Sequence, residues 1–361
     1  MRLCFLGDAG SIHLQRWLTY FVSLGHEVHV VSFRDCPVEG VQVHLLASGR
    51  EGRLAYVKAL TKVRGIVRRI NPDILHAHYA TSFGLLGIMS QFHPLVVSAW
   101  GSDVLVAPVR SYWLRKVVEC VLPRADALTS DSLYMSGRME ELLHRVPKRL
   151  LTVTMGVSQA WFDGITPADK KPAQILSLRG HQPIYNIDII LKAIPETVRA
   201  VPKARLVLAG EGEETPKLKA LAASLGIEPF VRFVGQLPHS EVEAYLNESA
   251  VMVSVPSSDA TAVSLLEAMA CGSFPVLSDL PANREWVSDG INGLIVPAKD
   301  AAALAGALIR GLRDQGLRER AFERNRKKIR ERAIWEDNMA EVQSLYGDLL
   351  RLNFNKGGSG A

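Results

Sequence analysis

The feature that most constrains this chain is a rhythm. Short, nearly continuous apolar runs alternate with longer amphipathic stretches, and the pattern plays twice. In the first half the runs are RLCFLG, HEVHVVS, QVHLLA, DILHAH and LVVSAW, with helical patterns over Leu14 to Leu24 and ending at Ile70. Strands covered on both faces are apolar along their length, and parallel strands need a crossover helix, so this alternation specifies βα units around a parallel sheet. The second half repeats it with AQILSLRG, ARLVLAG, VRFVG, VMVSVP, FPVLSD and GLIVP. Helices are expected between them over Asn186 to Val201, Pro216 to Leu225, and from Ser240 and Ser264. A chain of 361 residues exceeds what one core organises, so two α/β, Rossmann-like domains follow. The polar stretch 158–173, with two prolines, reads as the linker. The expected division is 1–163, 164–333, a helix over 334–353 returning to the first domain, and a flexible tail over 354–361. Arg318 to Leu352 reads as one long, charged helical stretch.

Several classes are excluded early. No apolar run approaches the ~18 residues of a membrane span, and MRLCFLGDAG reads as a first strand rather than a signal peptide, so a cytoplasmic location is expected. Cys4, Cys36, Cys120 and Cys271 are widely spaced in apolar segments and are expected to be buried free thiols. The net charge of +5 lies wholly in the first half, where residues 1–165 hold 18 Lys and Arg against 13 Asp and Glu. Lys58, Lys62, Arg64, Arg68 and Arg69 share one helix, and Arg110, Arg115, Lys116 and Arg124 cluster in another segment. Such faces suit an anionic membrane surface or an anionic acceptor, or are simply solvated. No nucleic-acid motif accompanies them, and none is expected as a partner.

In open α/β sheets ligands bind beyond the carboxyl ends of the strands, so the informative residues directly follow each apolar run. After the first strand, Gly7, Gly10 and Ser11 lead into a helix with His13 one turn in, which suits either an anion at a helix N-terminus or a tight turn. The spacing is not GxGxxG, which weakens a nicotinamide or flavin reading. DILHAHYA puts His76 and His78 on one face of a strand without an evident third ligand, and Asp-x-Asp occurs nowhere, so no metal is expected. LVVSAWGSDV places Trp100 and Asp103 at a strand end, where stacking and hydroxyl recognition suit a sugar. The richest segment is VMVSVPSSDATAVSLLEAMACGSFPVLSDL. Its small residues and the helix opening, Thr261, Ala262, Val263, Ser264 and Leu265, leave backbone N–H groups for a diphosphate. Glu267, eight positions after Asp259, offers two acceptor oxygens to a ribose diol.

Taken together, LLEAMACGSFPVLSDL, LVLAGEGEE, VRFVGQLP and NGLIVP, in this order, resemble glycosyltransferase family 4, across nearly the whole chain. The resemblance implies the GT-B fold, two Rossmann-like domains facing each other across a cleft. It also implies a retaining, metal-independent enzyme with a UDP- or GDP-linked nucleotide sugar as substrate and no cofactor. The acceptor it implies is a saccharide or lipid-linked molecule in surface polysaccharide or glycoconjugate synthesis, handled in the cytoplasm or peripherally at the inner membrane face. By position, Glu267 resembles the Glu that holds the ribose, and Arg179 the Arg that neutralises the leaving diphosphate. Gly210, Glu211 and Gly212 resemble the turn lining the nucleotide, and Gly235 with Gln236 the contacts to the base. Catalytic roles fall to Arg179 and Asp259; Gly10, Ser11, His13, Trp100 and Asp103 fall on the acceptor side. Three positions depart from the family pattern. Asp259 replaces a Glu, Tyr185 with Asn186 stands where Lys-Gly is usual, and Trp100 replaces a His, so proton exchange at that point is ruled out. These replacements keep open a catalytically silent binding or partner subunit. A nucleotide-sugar epimerase is the remaining alternative.

Overall fold

The computed structural model describes residues 1–46, 53–144, 147, 149–162 and 170–357. The chain forms two compact units, Met1–Thr154 with Asp337–Ala361, and Met155–Glu336. The expected boundary at 163/164 lies outside the described residues.

The first unit is built on β1 (Arg2–Leu6), β2 (Glu27–Ser32), β3 (Val41–Leu45), β4 (Ile74–His78), β5 (Leu95–Ser98), β6 (Ala127–Ser130) and β7 (Leu150–Thr152), ordered β3-β2-β1-β4-β5-β6-β7. The second carries β8 (Lys171–Ser177), β9 (Arg205–Ala209), β10 (Val231–Gly235), β11 (Ser249–Ser254), β12 (Phe274–Ser278) and β13 (Leu294–Val296), ordered β10-β9-β8-β11-β12-β13. All strand pairs in both sheets are parallel. The central strands are buried throughout, Ile74–His78 and Ser249–Ser254 among them, which is why their sequences are continuous apolar runs. Each sheet reverses its order once, between β1 and β4 and between β8 and β11. The crevices at these two points are where such sheets hold ligands. Each unit is thus a Rossmann-like α/β domain, the type of domain from which GT-B enzymes are built.

The long C-terminal stretch is two helices, Gln315–Arg332 and Trp335–Gly357, not one. The break is made by Val157, whose N–H donates to Ala333 and whose carbonyl accepts from Trp335. Gly156 precedes it at φ +60, and a Cβ there would meet the Trp335 backbone at 2.9 Å. The last helix runs past the expected start of the tail at 354, since each added residue of a formed helix gains a hydrogen bond. Residues 358–361 lie outside the described residues. Tyr346 on this helix is fully buried in the first unit, stacked on Phe21, with its hydroxyl 2.5 Å from His76 Nδ1. Of the cysteines, Cys4 and Cys271 are buried as expected, whereas Cys36 and Cys120 are only half-buried because they sit in a loop and on a partly exposed helix.

Replacing Tyr346 with Phe leaves His76 Nδ1 buried without its partner. Tyr346→Phe should therefore lower unfolding stability by about 1–3 kcal/mol in chemical denaturation. A variant as stable as the parent would show that the hydroxyl contributes nothing.

Candidate functional site

In the second unit the site grows from the two loops flanking the order reversal. Arg179, two residues past β8, donates from Nη2 to Asp259 Oδ2 at 2.7 Å, and Asp259 lies on the loop after β11. Asp259 Oδ1 accepts from the N–H of Ala260, so both carboxylate oxygens are engaged. Burial pushes the Asp259 pKa up, and Arg179 opposes that rise. The guanidinium also lies over the Tyr185 ring at 4.2 Å. Tyr185, the residue standing in the usual Lys position, thus supplies no second cation and instead holds the first one in place. Asn186 adopts φ +50, a left-handed conformation that Asn tolerates better than most residues, which explains how it replaces Gly. Its amide donates to the Val255 carbonyl and Ser257 Oγ, and Ser257 N–H donates to the Ile184 carbonyl, stitching the two loops together.

The helix Val263–Ala270 begins with Ala262 as its N-cap and no side-chain cap, and this leaves its first turn suited to an anion. Leu265 departs from its expected role: its side chain is fully buried in the core and its N–H is spent on the Ala262 carbonyl, which tightens the first turn. Thr261 is buried and accepts from Trp286 Nε1, while Val263 and Ser264 remain half-buried at the helix opening. Glu267 is nearly buried, with His239 Nε2 3.3 Å from its Oε1. The turn after β9 packs against the Arg179 loop. A Cβ on Gly210 would lie 2.3 Å from the Arg179 carbonyl oxygen, and one on Gly212 2.4 Å from that of His181. These glycines are required by backbone contact. Glu211 accepts from the His181 N–H, and its carboxylate approaches Gly235, which ends β10 at φ +77 beside the exposed Gln236.

Among the described residues, four buried side-chain atoms here have no hydrogen-bond partner: Ser177 Oγ, Arg179 Nε, His181 Nε2 and Ser264 Oγ. Such atoms are rare, and their gathering at the carboxyl ends of β8 and β11 marks a place built for a polar ligand. Ser177, His181 and His239 were not singled out by sequence reasoning. Ser177 ends an apolar run and His181 directly follows it, which was the available signal; His239 lies beyond Gln236, Leu237 and Pro238 and had none.

In the first unit, the loops after β1, β4 and β5 converge. Gly10 donates to Asp8 Oδ1, Ser11 caps the helix Ile12–Ser23 without a side-chain hydrogen bond, and Asp8 pairs with Arg34 at 3.6 Å. The half-buried Trp100 ring meets His13 at 6.0 Å and His78 at 5.1 Å, both edge-on. Asp103 is the correction on this side. It is fully buried, and its carboxylate accepts from the N–H groups of Ala80 and Trp100 at 2.6 and 3.1 Å, because a chain turning sharply at Gly101 needs its N–H groups satisfied. It therefore fixes the Trp100 loop and presents nothing to a sugar. Burial raises its pKa to about 6 despite those bonds. Tyr79, also missed by sequence reasoning, has φ +84 and its hydroxyl 2.5 Å from Ser102 Oγ, a strained residue at the order reversal. His76 and His78 stack at 4.2 Å, and among the described residues no group of three or more potential metal ligands occurs.

Two family patterns match this chain: Glycosyl transferases group 1 over residues 161–328 and Glycosyl transferase 4-like over residues 2–132. The chain belongs to glycosyltransferase family 4. It is an enzyme of the transferase class. Among its relatives are the phosphatidyl-myo-inositol mannosyltransferase of Mycolicibacterium smegmatis, 28% identical over 89% of this chain and 85% of the relative. The N-acetyl-alpha-D-glucosaminyl L-malate synthase of Bacillus anthracis is 24% identical over 91% of this chain and 90% of that protein. In fold, the chain resembles Anabaena HepE in complex with UDP-glucose, with a TM-score of 0.82 and 16% identity over 97% of this chain and all of that one.

Two outcomes follow from this glycosyltransferase's geometry. Removing the ring beneath Arg179 in Tyr185→Ala should weaken binding of a nucleoside diphosphate by about 1–2 kcal/mol, whereas Tyr185→Phe should retain it. Equal binding by both variants in calorimetry would show that the stack does not position Arg179. In the first unit, burial holds His78 down to about 3 against an ordinary 6.5. The folded state therefore favours the neutral ring, and its contribution to stability is complete above pH 6.5 and lost as pH falls toward 3. The thermal midpoint should drop over that range, and His78→Phe should flatten the drop; an unchanged profile would refute the assignment.

Proposed function

We propose that this glycosyltransferase moves a sugar from a UDP- or GDP-linked donor to a saccharide or lipid-linked acceptor with retention of anomeric configuration. The observation that carries this reading is the convergence of Arg179, the unpartnered Ser264 and the uncapped helix Val263–Ala270 at the β8/β11 reversal. These are donors aimed where a diphosphate would sit, with Glu267 four residues into the same helix for the ribose.

In the reaction we propose, the acceptor oxygen bonds to the anomeric carbon on the face from which the phosphate oxygen departs. The acceptor's proton passes to that phosphate oxygen. No protein base is required, which accommodates Trp100. The protein's contribution is orientation and neutralisation of the developing diphosphate charge. Arg179 supplies the latter once it exchanges Asp259 for phosphate, and that exchange frees Asp259 for hydroxyls of the transferred sugar. We further propose that the acceptor is met peripherally at the cytoplasmic face of an anionic membrane. The excess of basic residues in positions 1–165 supports this. No described helix is long and apolar enough to cross a membrane. The second reading, a catalytically silent subunit, draws on the same Arg179–Asp259 pair, which neutralises the cation a diphosphate needs. Transfer or donor hydrolysis by the purified protein separates the two.

A nucleoside diphosphate at about 100 times its Kd should stabilise the protein by about 2.7 kcal/mol in a thermal-shift assay. Glu267→Ala should remove that effect. Absence of a shift with any nucleoside diphosphate would overturn the proposal.

A further inference from the structure

The first unit carries an exposed apolar projection that the site does not use. The chain leaves the Trp100 loop through the short helices Ser102–Leu105 and Ala107–Arg110, and then enters Tyr112–Val121, capped by Ser111 Oγ. A helix lying on a core buries at least one residue in every turn. Here five consecutive residues, Tyr112 to Lys116, are exposed, and at 100° per residue they point in every direction. The first turn therefore stands clear of the unit, and the first buried side chain is Val118. At its tip Val109 is 74%, Tyr112 65% and Trp113 78% exposed, with Leu114 beside them.

The charges around this tip select its partner. Arg110, Arg115, Lys116 and Arg124 stand against the single acid Glu119 in residues 107–124. Arg115 and Lys116 share Glu119 at 2.8 and 2.7 Å, and Lys116 also lies 5.4 Å above the Tyr112 ring. Arg110 is exposed, and the one acid of residues 107–124, Glu119, is taken by Arg115 and Lys116. Trp and Tyr flanked by cations match the boundary between headgroups and acyl chains, where the rings bury their apolar bodies and the cations meet phosphates. Pairing this tip with a second copy would set cations against cations.

We propose that Val109–Lys116 is a wedge that seats the enzyme on an anionic bilayer. The inference rests on the reading of a membrane-borne acceptor and deepens it by naming the element and its partner. Because the wedge follows the Trp100 loop directly in the chain, an acceptor held at Trp100 would have its lipid at the surface that the wedge enters.

The test is co-sedimentation with phosphatidylcholine vesicles made with and without phosphatidylglycerol. The parent should bind the anionic vesicles, and binding should weaken as salt screens the charges. Tyr112→Ser with Trp113→Ser should lower the partition coefficient about tenfold or more, the loss expected from removing two buried aromatic anchors. Brominated lipid should quench tryptophan emission in the parent and less so in the double variant. Both substituted residues are exposed, so the variant should keep the parent's melting temperature and its nucleoside diphosphate shift. That shift reports the donor site alone and distinguishes failure of the wedge from failure of the transferase reading. No vesicle binding, equal binding by the variant, or equal binding to neutral vesicles would overturn the proposal. So would a dimer that the double variant abolishes, since that would make the occupant a second copy.

Discussion

A sheet made wholly of parallel strands cannot expose either face, so helices cover both and the chemistry is forced to the strand ends. Everything else in this protein depends on that constraint. The two reversals of strand order, β1/β4 and β8/β11, decide which loops diverge enough to leave a crevice. In the second unit the residues at that crevice are Arg179 and Asp259, joined to each other; in the first they are the Gly7–Ser11 turn, Tyr79 and the Trp100 loop.

The Arg179–Asp259 pair links packing to chemistry. It is formed by two loops that are tied by Asn186 and Ser257, and it rests on Tyr185. An ion pair with side chains only 10% and 20% exposed has surrendered most of its hydration, and its attraction must offset that loss. A diphosphate offers Arg179 more charge than Asp259 does. The three departures from the family pattern thus form a physical set. Asp259, one methylene shorter than Glu, serves as the counterion, Tyr185 as the platform, and Trp100 as an aromatic ring set edge-on against His13 and His78; the reaction we propose asks no proton of it.

Much of the fold was legible because burial writes itself into composition. Runs such as ILHAH and SAVMVS are strands for the same reason that they are apolar. Glu267 drew notice through its spacing from Asp259 and the small residues between them, and the structure places it nearly buried beside His239. What escaped was whatever depends on contact across distant sequence. Nothing in AWGSD tells that Asp103 turns inward to hold backbone N–H groups from Ala80 and Trp100. Nothing in LLEAM distinguishes Leu265, whose N–H is spent locally, from its neighbours at the helix opening. The break before Trp335 needs Val157, some 180 residues away in sequence, to insert its backbone.

In our proposal the β8/β11 crevice holds the donor's diphosphate on Arg179 and the helix Val263–Ala270. A crystal structure with a bound nucleoside diphosphate tests it most directly. We predict phosphate oxygens within hydrogen-bond distance of the Arg179 guanidinium and the Ser264 hydroxyl, ribose hydroxyls on Glu267, and Asp259 released from Arg179. A nucleotide bound elsewhere, or bound here with the Arg179–Asp259 pair still closed and no phosphate contact to Arg179, would contradict it.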